Sequence, residues 1–152
     1  MHTKVEKQWT TESGHKALIV MTTMGTRNGY IEIALDPLLE AYCSSVSFED
    51  IQKWTPDLIA KQEYINDISV HGGITFLGEL VGGTRAVGFD CNHAWDAPDW
   101  DTADELFGDD PDYLKHLASR KSMKPFDDEV VRTLSYVIEQ CESLSTQLTK
   151  LP

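Results

Sequence analysis

The chain has 152 residues, 41% of them hydrophobic and 25% charged, which is enough for one domain with its own core. A formal net charge of -12 opposes phosphate backbones and argues against general nucleic-acid binding, though a local basic wall could still hold a small anion. Three cysteines, Cys43, Cys91 and Cys141, with no Cys-x-x-Cys, exclude a disulfide framework and a zinc ribbon and point to a reducing compartment.

The start, MHTKVEKQW, is polar and lacks a signal-peptide stretch, and the apolar run ALIVM is too short to span a bilayer. The expectation is a cytoplasmic protein with no membrane partner. Residues 1–14 read as a polar, partly disordered N-terminus, and 15–152 as a single domain. Ala17 to Met24 reads as a strand. Asn28-Gly29 offers the positive φ of a tight hairpin turn, and Tyr30 to Leu35 forms the second strand, ended by Pro37. Ser47, with acidic residues after it, reads as an N-cap, and the segments to Trp54 and from Pro56 to Ile65 as one or two short helices.

A third strand is expected from Asp67 to Leu80, a turn at Val81-Gly82-Gly83, and a fourth strand from Thr84 to Cys91. Residues 94–126 are rich in Asp and read as a long acidic loop with a short helix near Asp112 to Arg120. Asp99, Asp101 and Asp104 within it do not complete an EF-hand pattern. The span 127–150 predicts a long helix. Asp127 and Asp128 suit its N-terminus, and Val130, Leu134, Val137, Cys141, Leu144 and Leu148 form an apolar stripe, widened by Val131 and Ile138. Such a stripe can lie across a sheet, and its width predicts a homo-oligomer, a dimer. The fold class is α+β: a small antiparallel sheet built from two β-hairpins, short connecting helices and a long C-terminal helix.

The candidate site lies in ISVHGGITF and RAVGFDCNH. Strand alternation puts Val70, Gly72, Ile74 and Phe76 on the core face, and His71, Gly73, Thr75 and Leu77 on the other. In strand four Val87 and Phe89 share one face, Gly88 and Asp90 the other. Pairing through the turn puts residues that sum to about 164 opposite each other, which brings His71 to His93, with Asp90 as a near neighbour. Gly72-Gly73 lets a ligand approach the sheet closely.

Three chemistries fit this set. His71, Asp90 and His93 could hold a divalent metal such as zinc. An Asp-oriented His could act as a base, with Cys91 or Thr75 as the available nucleophiles. Or the imidazoles and carboxylate could bind a small polar molecule, with Trp95, Trp100 or Phe107 stacking on it. Lys16, Arg27 and Arg85 are the candidate basic wall.

DISVHGGITF together with VGFDCNHAWD resembles a family of small proteins of tailed phages and prophages with VHGG(L/I)TF and GFDCxHxxD motifs. The likeness covers Gly29-Tyr30-Ile31, Val70 to Phe76, Gly88 to Asp96 and the helix after Asp127. The family's His-Gly-Gly falls on His71, Gly72 and Gly73, and its later His and Asp on His93 and Asp96. Trp95 stands where the family has a small residue. Small phage proteins of this kind are often accessory factors against host defence, so the expectation by analogy is an accessory protein in an infected bacterial host with an anti-defence role. The expected ligand set is His71, Gly72, Gly73, Asp90, His93, Asp96, Trp95 and Arg85.

The leading expectation is therefore a non-enzymatic protein without cofactor that sequesters a small polar ligand such as a nucleotide-derived immune signal. The alternatives are a metal-dependent hydrolase using His71, Asp90 and His93, and an inhibitor that binds a host protein through its acidic surface or C-terminal helix.

Overall fold

Alternating apolar residues in the first third of the chain build a three-stranded meander. In the computed structural model, which describes residues 2–35, 39, 55–122 and 129–152, β1 is Thr3–Thr10, β2 Lys16–Thr22 and β3 Arg27–Glu32. β1 pairs with β2 from Thr3↔Thr22 to Thr10↔Lys16, so the N-terminal stretch is an edge strand and not the disordered tail its polarity suggested. An edge strand with one face toward solvent can be as polar as a tail. The first hairpin also differs in detail. Asn28 and Gly29 lie within β3, opposite Val20 and Ile19. Gly25, at φ +77°, supplies the turn instead. Gly29 serves packing: a side chain there would strike Phe89 and Cys141.

Helix α1, Pro56–Asp67, starts as expected at a proline, with Thr55 as its N-cap. The expected N-cap Ser47, the segment to Trp54, Pro37, Cys43, Asp127 and Asp128 lie outside the described residues. After α1 come β4, Phe76–Glu79, and β5, Arg85–Asp90. Their register, Phe76↔Gly88 to Glu79↔Arg85, follows the expected sum of 164. The strand begins far later than Asp67, however. Gly72 and Gly73 take φ of +69° and +80°, which breaks extended structure, and Gly73 N donates to Val70 O at 2.9 Å to close a turn. The faces at its start are also exchanged: Leu77 is buried in the core, whereas Phe76 packs edge-on against Tyr30.

The acidic stretch is mostly ordered into β6 (Asp96–Ala97), α2 (Trp100–Phe107) and α3 (Pro111–Lys121), not a long loop. Three of its aspartates cap or brace these helices. Asp99 caps α2 by accepting from Thr102 N, and Asp110 caps α3 by accepting from Asp112 N and Tyr113 N. Asp104 accepts from the Tyr113 hydroxyl and Lys121 Nζ, both at 2.6 Å. Phe107 and Tyr113 are buried with Met21 and Ala103, and Trp100 packs against that cluster, so neither Trp100 nor Phe107 is a stacking platform for a ligand.

The C-terminal helix starts later than residue 127. Val130–Val131 is strand β7, parallel to β6, and α4 spans Leu134–Leu148 with Thr133 as N-cap. The stripe residues Val137, Cys141, Leu144 and Leu148 are buried in the main core with Ile19, Ile31, Val87 and Phe89. The stripe is thus covered by the chain's own sheet, and its width gives no support to a dimer. Val130 and Val131 belong to β7 and are exposed.

The main sheet has the order β1-β2-β3-β5-β4, antiparallel throughout, with α4 on one face. The architecture is α+β, as expected. No described helix is long and apolar enough to cross a membrane.

Candidate functional site

Three chain segments meet at one carboxylate. The turn at 70–73 presents His71. A second turn, in which Asp96 N donates to His93 O at 2.9 Å, presents His93 and Asp96. The β6–β7 pairing, with Val130 N donating to Trp95 O at 3.0 Å, carries Arg132 and the first turn of α4 to the same place.

Asp96 is the centre. Its side chain has no exposed surface. His71 Nε2 lies 2.9 Å from its carboxylate, His93 Nδ1 at 2.8 Å, His93 backbone N at 3.1 Å and Arg132 Nε at 2.9 Å. Burial alone would raise the Asp96 carboxyl, but the hydrogen bonds from His71, Arg132 and His93 outweigh it and hold the group down at about 2. An ionised Asp96 accepts only, so each imidazole must direct an N–H at it.

That requirement sets both tautomers. Neutral His71 carries its proton on Nε2, which leaves Nδ1 to accept from the Tyr136 hydroxyl at 2.7 Å. Its backbone N donates to Gln140 Oε1 at 2.8 Å, so His71 is tied at three points. Burial pushes the Tyr136 hydroxyl up, which keeps it a donor. Neutral His93 carries its proton on Nδ1. Its Nε2 is then a bare lone pair with no partner among the described residues, on a side chain that is 19% exposed.

The ring of His93 is closely packed. Trp95 stacks on it at 4.8 Å between centroids and 4° between planes, and is itself exposed. Gly72 comes so near the ring that any Cβ there would collide with its Cε1–Nε2 edge. Gly72 thus answers two demands, a positive φ and a close approach.

Of the expected residues, His71, Gly72, His93, Trp95 and Asp96 come together. Gly73 completes the turn. Asp90 does not join them: it accepts from Thr75 Oγ1 at 2.9 Å on the outer face of β5, and Asp96 takes the role expected of it. Arg85 lies at the opposite end of β5, paired with Glu79 in the register. Arg27 is buried and ion-paired to Glu6 and Asp99, so it forms no basic wall.

Tyr136, Gln140 and Arg132 were missed. Their signal is faint: Tyr136 and Gln140 are polar residues four apart, on the same side of α4 beside its apolar stripe.

The nucleophilic chemistry loses support. Cys91 is buried, and burial with Asp96 and Asp90 nearby pushes its thiol up to about 12, so it is a poor nucleophile. Thr75 is hydrogen-bonded to Asp90, not to an imidazole. A metal has better geometry: one ligand atom each from His71, His93 and Asp96 lies within 4.8 Å of the others. A cation there would, however, displace N–H···O bonds from both imidazoles and sit beside the Arg132 guanidinium.

No known protein family, curated protein or solved structure matches this chain.

Proposed function

We propose that the chain is a non-catalytic binder of a small polar ligand, which it holds at His93 and Trp95. The observation that carries this reading is the unpartnered His93 Nε2. Nδ1 is engaged by Asp96, Trp95 stacks on the ring, and no described residue bonds Nε2, which accepts when the imidazole is neutral. A fixed acceptor at the surface recognises a ligand N–H or O–H, and the exposed face of Trp95 offers area to a planar group. Arg132 and Arg27 are both occupied by carboxylates, so a neutral or cationic ligand suits the site better than an anionic nucleotide. The likeness of the two motifs to those of small phage proteins supports an accessory role.

The test is native mass spectrometry of protein purified from bacterial cells. The unmodified chain should retain a small-molecule mass that Trp95→Ala loses, while the stability of Trp95→Ala stays within about 1.5 kcal/mol of the unmodified chain, the loss of one aromatic stack. Absence of any retained mass, or retention by Trp95→Ala, counts against this reading. The second reading, a zinc site, is favoured by the convergence of His71, His93 and Asp96. Stoichiometric zinc uptake that His71→Ala abolishes would establish it in place of the first.

A further inference from the structure

Asp90, expected beside the histidines, lies instead on the outer face of the sheet. Asn28 and Asp90 are direct partners across the β3–β5 ladder, and Tyr30 and Phe76 are both partners of Gly88, from the strands on either side. Direct partners share a face, and Gly88 and Asp90, two apart on one strand, share it too. Asn28, Tyr30, Phe76 and Asp90 therefore stand together on the outer face, away from α4. Tyr30 and Phe76 meet edge to face at 5.4 Å and 88°. Gly88 lets the Tyr30 ring lie down on the sheet, since a Cβ there would collide with it. With Thr75, these residues border a cavity of about 280 Å³.

The polar atoms of this cavity are unevenly distributed. Thr75 Oγ1 donates to Asp90 Oδ1 at 2.9 Å, and Asn28 Nδ2 donates to the Tyr30 hydroxyl at 3.3 Å. Asp90 Oδ2 and Asn28 Oδ1 have no partner among the described residues, and beside them the second Asn28 N–H and the Tyr30 O–H remain as donors. No lining residue is basic. The cavity thus offers a carboxylate oxygen, an amide oxygen and two aromatic rings, on a chain whose net charge of -12 draws cations toward it.

We propose that this cavity binds a small organic cation bearing N–H donors, of the alkylguanidinium or alkylammonium class. One N–H points at Asp90 Oδ2 and another at Asn28 Oδ1, with the cation against the Tyr30 ring. The site is separate from His93 and does not rest on the function proposed above.

The test is a titration of the ¹⁵N-labelled full chain with methylguanidinium chloride, followed by amide shifts. N-methylurea serves as its neutral counterpart of similar shape, and tetramethylammonium as a cation without N–H. Saturable shifts centred on Asn28, Tyr30, Gly88 and Asp90 are expected with methylguanidinium. Affinity should fall about tenfold in Asp90→Asn, which keeps the oxygen that Thr75 bonds, and in both control compounds. The spectrum of Asp90→Asn without ligand checks that it folds. Unsaturable shifts, shifts centred on His93 and Trp95, or equal affinity for either control or for Asp90→Asn would overturn the proposal.

Discussion

Asp96 and Asp90 lie on the same short stretch of chain and meet opposite surroundings. Asp96 is enclosed by N–H donors from His71, His93 and Arg132, which come from three parts of the sequence. Asp90 receives one described hydrogen bond, from Thr75, and borders an open cavity. The difference separates two uses of a carboxylate. A buried charge must be met by donors, and once met it fastens those donors in place. A half-exposed charge with an unmet oxygen can still take a partner from solution. By this measure the histidine network holds the structure together and leaves one atom, His93 Nε2, unpaired, while the Asp90 side of the sheet presents unpaired acceptors.

The largest way to break the contrast is Asp96→Ala. It leaves two imidazole N–H groups, an amide and a guanidinium without their acceptor, and should cost about 3–5 kcal/mol in urea unfolding. A loss under about 1 kcal/mol would mean that the network holds nothing.

Acid should probe the same group. The Asp96 carboxyl titrates at about 2 in the folded chain, below the ordinary 3.8. Its contribution of about 2 kcal/mol is present in full above pH about 4 and is lost as pH falls from about 4 to about 2. Unfolding free energies measured at pH 5 and pH 2 should therefore converge between the unmodified chain and Asp96→Asn. A gap that stays constant across that range would assign the acid response to other groups.

Tyr136→Phe removes only the hydroxyl that reaches His71 Nδ1, and should cost about 1–2 kcal/mol by thermal melting. At the other extreme, Asp90→Asn should change stability by no more than about 0.5 kcal/mol. If it destabilises as strongly as Asp96→Ala, the two carboxylates do the same work and the comparison collapses.

The parts legible in the sequence are those that local pattern dictates. The second hairpin was readable down to its register, because Val81-Gly82-Gly83 leaves little choice of turn and the flanking apolar residues leave little choice of face. The stripe of α4 was readable for the same reason. Glycine misled twice, since each glycine admits more than one explanation. Asn28-Gly29 has the composition of a hairpin turn, yet Gly29 is there to make room for Phe89 and Cys141. Gly72-Gly73 reads from the sequence as a smooth stretch of strand, yet both residues bend the chain.

The choice between Asp90 and Asp96 was beyond local pattern. It depends on β6 pairing with β7, a two-residue contact between distant segments that no periodicity announces. The same contact brings in Arg132, Tyr136 and Gln140. The pairing of His71 with His93 was anticipated, although by extrapolating a ladder that ends at Phe76. The rings do meet, at 5.5 Å between centroids, held by Asp96 and not by strand hydrogen bonds.

The strand order carries a consequence for how the chain folds and comes apart. β1, β2 and β3 are joined by short turns, as are β4 and β5, so each group can zip up locally and fast. Within the described sheet the β3–β5 ladder joins the two groups, and a long segment separates its two strands, so its closure costs more loop entropy than either group of turns. Asn28 and Asp90 form the terminal rung of that ladder. A cation gripped between them spans two halves that assemble separately and acts as a clasp on the slowest join. By mass action it should raise the unfolding midpoint with the logarithm of its concentration. If the ladder opens before either group of strands melts, it should also lengthen the lifetime of the folded chain.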